Sequence, residues 1–219
     1  MMKYSNEEAL DNYLGIKASV EAVSRAARLL VVSKFHTMDK IQPLIHAGHR
    51  CFGESRVDEA INKWDALRNQ YEDLELHFIG GLQSRKVAKI VEFFDVIQSV
   101  DRASLADKIS SCAKSLGKTQ KIFIQINIGD EPQKSGVSVN DFDDVFAHVS
   151  RLDNICIEGV MCIPPNEKDV SVYFSQMSAI TEKYHFPQLS MGMSNDYKLA
   201  LCYNSTMVRV GSAIFGERS

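Results

Sequence analysis

No stretch of the 219-residue sequence approaches the roughly 18 uninterrupted apolar residues of a membrane helix. The opening MMKYSNEEALDNY is polar and acidic, without the apolar core of a signal peptide. Cysteine is sparse: Cys51, Cys112, Cys156, Cys162 and Cys202 are scattered and form no C-x-x-C pair. That usage fits a reducing compartment and argues against a disulfide framework, so a cytoplasmic protein is expected. Basic residues are not in excess. The 25 Lys and Arg against 28 Asp and Glu leave a formal charge of −3, with no electrostatic footprint for nucleic acid. The six histidines show neither H-E-x-x-H nor any clustering with cysteine along the chain, so no metal site is expected. Gly80 to Lys86 superficially resembles a phosphate loop but lacks the Walker glycine, and there is no G-x-S-x-G elbow.

What is present is an ordinary globular composition, 45% hydrophobic and 24% charged, with no linker long enough to divide it. One domain spanning 1–219 is expected, with an N-terminal helix in 1–28 and a barrel over 29–219. Ser5-Asn6-Glu7-Glu8 has the spacing of a capping box and should start that helix. Leu29 to Lys34 then reads as a buried strand, too short for a buried helix. Further apolar runs sit at Arg50–Phe52, Leu76–Ile79, Val96–Val100, Ile122–Asn127, Ile155–Met161, Gln188–Met191 and Met207–Val210. Helix-like stretches separate them at 38–47, 55–70, 82–94, 102–116, 139–151, 168–184 and 195–203. Strand followed by helix throughout means parallel pairing with right-handed crossovers. Eight strands close a barrel, although an open doubly wound sheet predicts the same alternation.

Lys34 shares a strand face with Leu30 and Val32, and in a barrel that face points inward. A lysine there either pairs with an acid or loses its charge, and a neutral amine attacks aldehydes. The bland alternative is a lysine that snorkels to solvent. Ser190 to Asp196 and Met207 to Gly216 place small residues after the last two strands, where barrels recurrently hold phosphate. Ser194, Gly211 and Ser212 are the candidates there. Arg209 lies inside an otherwise apolar strand and needs an acceptor.

These residues occur together with Phe52-Gly53-Glu54-Ser55, His77 to Ser84 and Lys134-Ser135-Gly136. In that order they resemble the pyridoxal phosphate homeostasis proteins, which are similar to the N-terminal barrel of alanine racemase. The resemblance implies an α/β fold, a single (β/α)8 TIM-type barrel with an extra N-terminal helix, and pyridoxal 5′-phosphate (PLP) as cofactor. It implies that Lys34 forms the internal aldimine and that Ser194, Gly211 and Ser212 hold the phosphate. Arg209 would face the pyridine nitrogen, which disfavours its protonation by like-charge repulsion. Lys134 would be a second lysine beside the cofactor, and Glu54, Asn127 and Met161 would line the same pocket. Ser55, Gly81 and Asn195 depart from the family pattern, which usually has Asn, Pro and Asp there.

The function implied is a PLP carrier that catalyses nothing itself and supplies apo-enzymes as transient clients, expected to be a monomer. An amino-acid racemase is the alternative. It would need a second acid/base on the opposite ring face, which the racemases take from a C-terminal domain, and this chain ends about where the barrel does. A Schiff-base aldolase acting on a sugar phosphate is a third reading, which Arg209 fits less well.

Overall fold

The computed structural model describes residues 5–217. Helix α1 (Asn6–Val23) starts at the expected capping box: Ser5 Oγ accepts from the Glu8 amide at 3.1 Å, and the Glu8 carboxylate accepts from the Ser5 amide at 2.5 Å. Its buried face, Ala9, Tyr13, Ile16 and Val20, packs on the barrel's outer layer.

Eight strands follow: β1 (Arg28–Val32), β2 (Cys51–Glu54), β3 (Glu75–Phe78), β4 (Val96–Val100), β5 (Gln120–Ile126), β6 (Ile155–Cys162), β7 (Gln188–Ser190) and β8 (Met207–Val210). All pair in parallel in chain order, and β8 returns to β1. The barrel is closed, which decides against the open sheet. Between strands run α2 (Met38–His46), α3 (Val57–Arg68), α4 (Val87–Phe93), α5 (Ala103–Ser115), α6 (Phe142–Val149), α7 (Ser171–Lys183) and α8 (Tyr197–Cys202). A 3-10 turn, Ser84–Lys86, precedes α4, so the single helix expected over 82–94 is two pieces. Another helix, α9 (Ser212–Phe215), follows β8, beyond the last helix-like stretch expected at 195–203.

The strands bury side chains on both faces, as parallel strands covered by helices do. Val31, Phe52, Leu76, Ile97, Ile122, Ile124, Val160, Leu189 and Val208 join the shell between barrel and helices. Leu30, Cys51 and Met207 form one apolar cluster inside, and Val96, Phe123 and Met161 another. The rest of the interior is polar: His77, Gln98, Ser190 and Arg209 are all buried there.

β1 ends two residues earlier than the sequence suggests. The Ser33 amide still bonds the Gly53 carbonyl at 3.1 Å, but Phe35 has φ of +66° and turns the chain out of the sheet. Lys34 therefore sits in a turn at the strand's C-terminal end. Strand parity survives: Leu30 lies in the barrel interior and Lys34 opens into the cavity described next.

Candidate functional site

A cavity of about 850 Å³ opens at the C-terminal ends of the strands. Lys34, Lys134, Met161, Ser194, Arg209, Gly211 and Ser212 all line it. Chain segments from both termini of the barrel meet there because β8 closes onto β1, with Arg209 opposite Leu30. The lining carries Lys34, Lys134, Lys168, Lys198 and Arg209 against Glu167 and Asp196, an excess of positive charge suited to an anion.

The turn bearing Lys34 is clamped from behind. Ser33 Oγ donates to Glu54 Oε1 at 2.7 Å, and the Phe35 amide donates to Glu59 Oε1 at 2.6 Å. Lys63 Nζ reaches from α3 to the Ser33 carbonyl at 2.9 Å and to Glu54 and Glu59 at 3.0 Å each. Trp64 Nε1 adds a bond to Glu54 Oε1 at 3.0 Å. These contacts correct the expected place of Glu54. Its carboxylate is fully buried against Lys63 and Trp64 of α3 and does not line the cavity. The outward direction follows from pleat alternation, since Gly53 is the residue of that segment packed on interior Leu30.

Two small-residue loops make the opposite wall. Gly192 has φ of +92°, and a Cβ there would lie 2.5 Å from the Ala200 Cβ. A Cβ on Gly211 would meet the Val32 carbonyl oxygen at 2.9 Å. The loops are tied together: the Ala213 amide donates to Ser194 Oγ at 3.2 Å, and the Arg209 amide donates to the Gly192 carbonyl at 2.9 Å.

Arg209 is buried, and burial pulls its pKa down from the ordinary arginine value. Its guanidinium donates to Ser190 Oγ at 2.8 Å and to the Cys162 carbonyl at 2.7 Å, both neutral acceptors. A polar column continues from there through the barrel. Ser190 Oγ donates to Gln98 Oε1 at 2.8 Å, and Gln98 Nε2 faces His77 Nδ1 at 2.8 Å. His77 Nε2 contacts Glu75, whose other oxygen accepts from Arg28 at 3.0 Å. Each side chain of this column thus has a hydrogen-bond partner, as burial demands.

Lys134 lies on the loop after β5, paired with Glu131 and donating to the Pro164 carbonyl at 3.0 Å. Asn127 does not line the cavity; it shapes this loop, exchanging bonds with the Glu131 backbone at 2.9 and 3.2 Å.

Sequence reading missed two features. Gln98 and Ser190, which link Arg209 to the barrel interior, carry no local signal. Cys51 and His77, 26 positions apart, come within 3.7 Å, so the apparent lack of His–Cys clustering does not extend to the fold.

The model of the alanine racemase N-terminal domain matches residues 10–219. A pyridoxal phosphate homeostasis protein of Pasteurella multocida is 38% identical over 203 residues, covering 88% of this chain and 87% of that one. That of Escherichia coli K12 is 38% identical over 202 residues, covering 87% and 85%. PipY of Synechococcus elongatus, solved with PLP bound, superposes with a TM-score of 0.84 at 32% identity, covering 95% of this chain and all of that one. Alanine racemase of Clostridium difficile shares the fold at a TM-score of 0.75 and 17% identity, this chain spanning 57% of its length. With its closed barrel and its likeness extending over most of each relative, the chain belongs to the pyridoxal phosphate homeostasis protein family.

Proposed function

We propose that the protein carries PLP as a Schiff base on Lys34 and supplies it to PLP-dependent enzymes, acting as a monomer in the cytoplasm. The observation that carries this reading is the convergence of Lys34, Arg209, Ser194, Gly211 and Ser212 on one cavity. Those residues fit the group: an amine on one wall, a cradle that a Cβ would crowd on the other, and a buried guanidinium that donates to a hydroxyl and a carbonyl. When bound, PLP supplies an aldehyde that condenses with amines.

The residues divide the work. The Glu54–Lys63–Glu59 clamp fixes the backbone that presents the Lys34 amine. Ser194, Gly211 and Ser212 bind the phosphate through hydroxyl and backbone N–H groups. Arg209, held by Ser190 and the Cys162 carbonyl, would face the pyridine nitrogen and disfavour its protonation. Met161, which lines the cavity, would pack against the ring. Lys134, on a loop anchored through Pro164, would offer a second amine beside the cofactor.

The test is intact mass after PLP loading and borohydride reduction. One pyridoxyl-phosphate adduct mapped to Lys34, and lost in Lys34→Ala, is expected; no adduct on Lys34 would overturn the reading. Racemisation of L-alanine at ordinary enzyme rates, about 10 per second, would replace the carrier role with catalysis.

A further inference from the structure

Three metal-type donors converge at the end of the barrel opposite the cavity. Cys51 opens β2 and Glu75 opens β3 directly opposite it in register. His77 follows two residues along β3, so strand alternation puts all three side chains on the inward face. Cys51 Sγ lies 3.7 Å from His77 Nε2, which contacts Glu75 Oε1, and the three donor atoms lie within 4.8 Å of one another. A tetrahedral Zn²⁺ with ordinary Zn–S and Zn–N bonds separates sulfur from nitrogen by about 3.5 Å. The Cys51–His77 spacing matches that separation. The Glu75–His77 contact is a hydrogen bond, and it opens when an ion takes the place of the bridging proton.

The two nitrogen and oxygen donors also have the outer partners that metal ligands have. Gln98 holds His77 Nδ1 at 2.8 Å, and Arg28 holds the far oxygen of Glu75 at 3.0 Å. For Nε2 to offer its lone pair, the imidazole proton moves to Nδ1 and Gln98 turns its amide, so that Oε1 accepts it. Gln98 Nε2 then donates to Ser190 Oγ, whose second lone pair is open beside the bond from Arg209, and the Ser190 hydroxyl proton gives up its bond to Gln98 Oε1 in the exchange. The Cys51 thiol proton passes to solvent as the metal–sulfur bond forms. Thiolate and carboxylate together balance the two positive charges of the ion.

We propose that Cys51, Glu75 and His77 form a Zn²⁺ site at the N-terminal end of the barrel. Sulfur, imidazole and carboxylate together select a borderline ion such as Zn²⁺ over Mg²⁺ or Ca²⁺. Cys51 and His77 are buried, and Glu75 is partly exposed, which leaves a route for the ion and a fourth position for water.

The experiment titrates chelator-treated protein with Zn²⁺ against a chromophoric competitor, and with Cd²⁺ while following the thiolate-to-metal band in the ultraviolet. One ion per chain and a matching band are expected. Cys51→Ser should lose the band and weaken Zn²⁺ binding by more than the ~100-fold upper range for an outer partner, whereas Gln98→Leu should cost ~10–100-fold. A Cys112→Ser, Cys156→Ser, Cys202→Ser variant should keep both signals. Should Cys51→Ser fold poorly, alkylation of the wild-type protein in mild urea decides: Zn²⁺ should protect Cys51. Absence of stoichiometric binding, a band that survives Cys51→Ser, a band lost when Cys112, Cys156 and Cys202 are replaced, or an unprotected Cys51 would each overturn the site. No arm reads the cofactor, so the outcome is independent of PLP binding.

Discussion

Lys63 Nζ lies 3.0 Å from Glu54 Oε1, with the lysine side chain 8% exposed and the glutamate fully buried. The pair stands directly behind the Lys34 turn, and Lys63 also holds the Ser33 carbonyl. Lys63→Met leaves a buried carboxylate without its cation, a loss of about 3–5 kcal/mol in urea denaturation. Lys63→Met combined with Glu54→Gln should recover part of that loss, because the uncompensated charge is gone. Equal destabilisation of single and double variants would mean the pair is not electrostatically coupled.

Arg209 spans two acceptors on different strands, Ser190 Oγ on β7 and the Cys162 carbonyl on β6. A lysine is a point donor and cannot reproduce that fork. Arg209→Lys should therefore cost about 1–3 kcal/mol of stability by leaving one buried acceptor unmade. Thermal denaturation of the PLP-free protein checks this apart from any effect on the cofactor.

Gly192→Ala meets two obstacles, a left-handed backbone and the Ala200 side chain 2.5 Å from the new Cβ. A strained conformation of this kind costs on the order of 1–3 kcal/mol, and the clash adds to it. Since the Gly192 carbonyl accepts from Arg209 and Ser194 follows two residues later, PLP affinity should fall with stability. Fluorescence titration against wild type measures it; unchanged affinity would remove this loop from the cradle.

Burial pushes the Cys162 thiol up to about 12. Thiolate is the nucleophile, so at pH 8 Cys162 should resist iodoacetamide while exposed Cys202 reacts. Mass mapping should show at least a ~100-fold difference in rate, and that gap should close in denaturant.

The strand and helix order was legible because each apolar run was short and each intervening stretch had helical length. The inward face of β1 could also be read, since Leu30, Val32 and Lys34 share parity whether or not the last residue is still in the strand. Its end could not, because Phe35 adopts a left-handed conformation without being glycine. Candidates on the loops after β7 and β8 fell on the cavity, since the residues after a barrel strand gather at one end whatever the register. Glu54 and Asn127 did not, because a strand-end position leaves open which way the side chain turns. Register itself is a tertiary property. That is why Cys51 opposite Glu75, or Ser190 beneath Arg209, left no trace in the chain.

Helix α1 rests on α8 and α9, the helices that follow the two loops of the cradle. Asn12 Nδ2 donates to the Ile214 carbonyl at 3.3 Å, and Tyr197 reaches Ser19 at 3.4 Å. Occupancy of the cavity should for that reason be felt at a distance: phosphate bound at the start of the short helix after β8 should also steady the brace lying across it. Amide exchange across residues 6–23 should slow on loading with PLP, making the least conspicuous part of the fold a gauge of how full the carrier is.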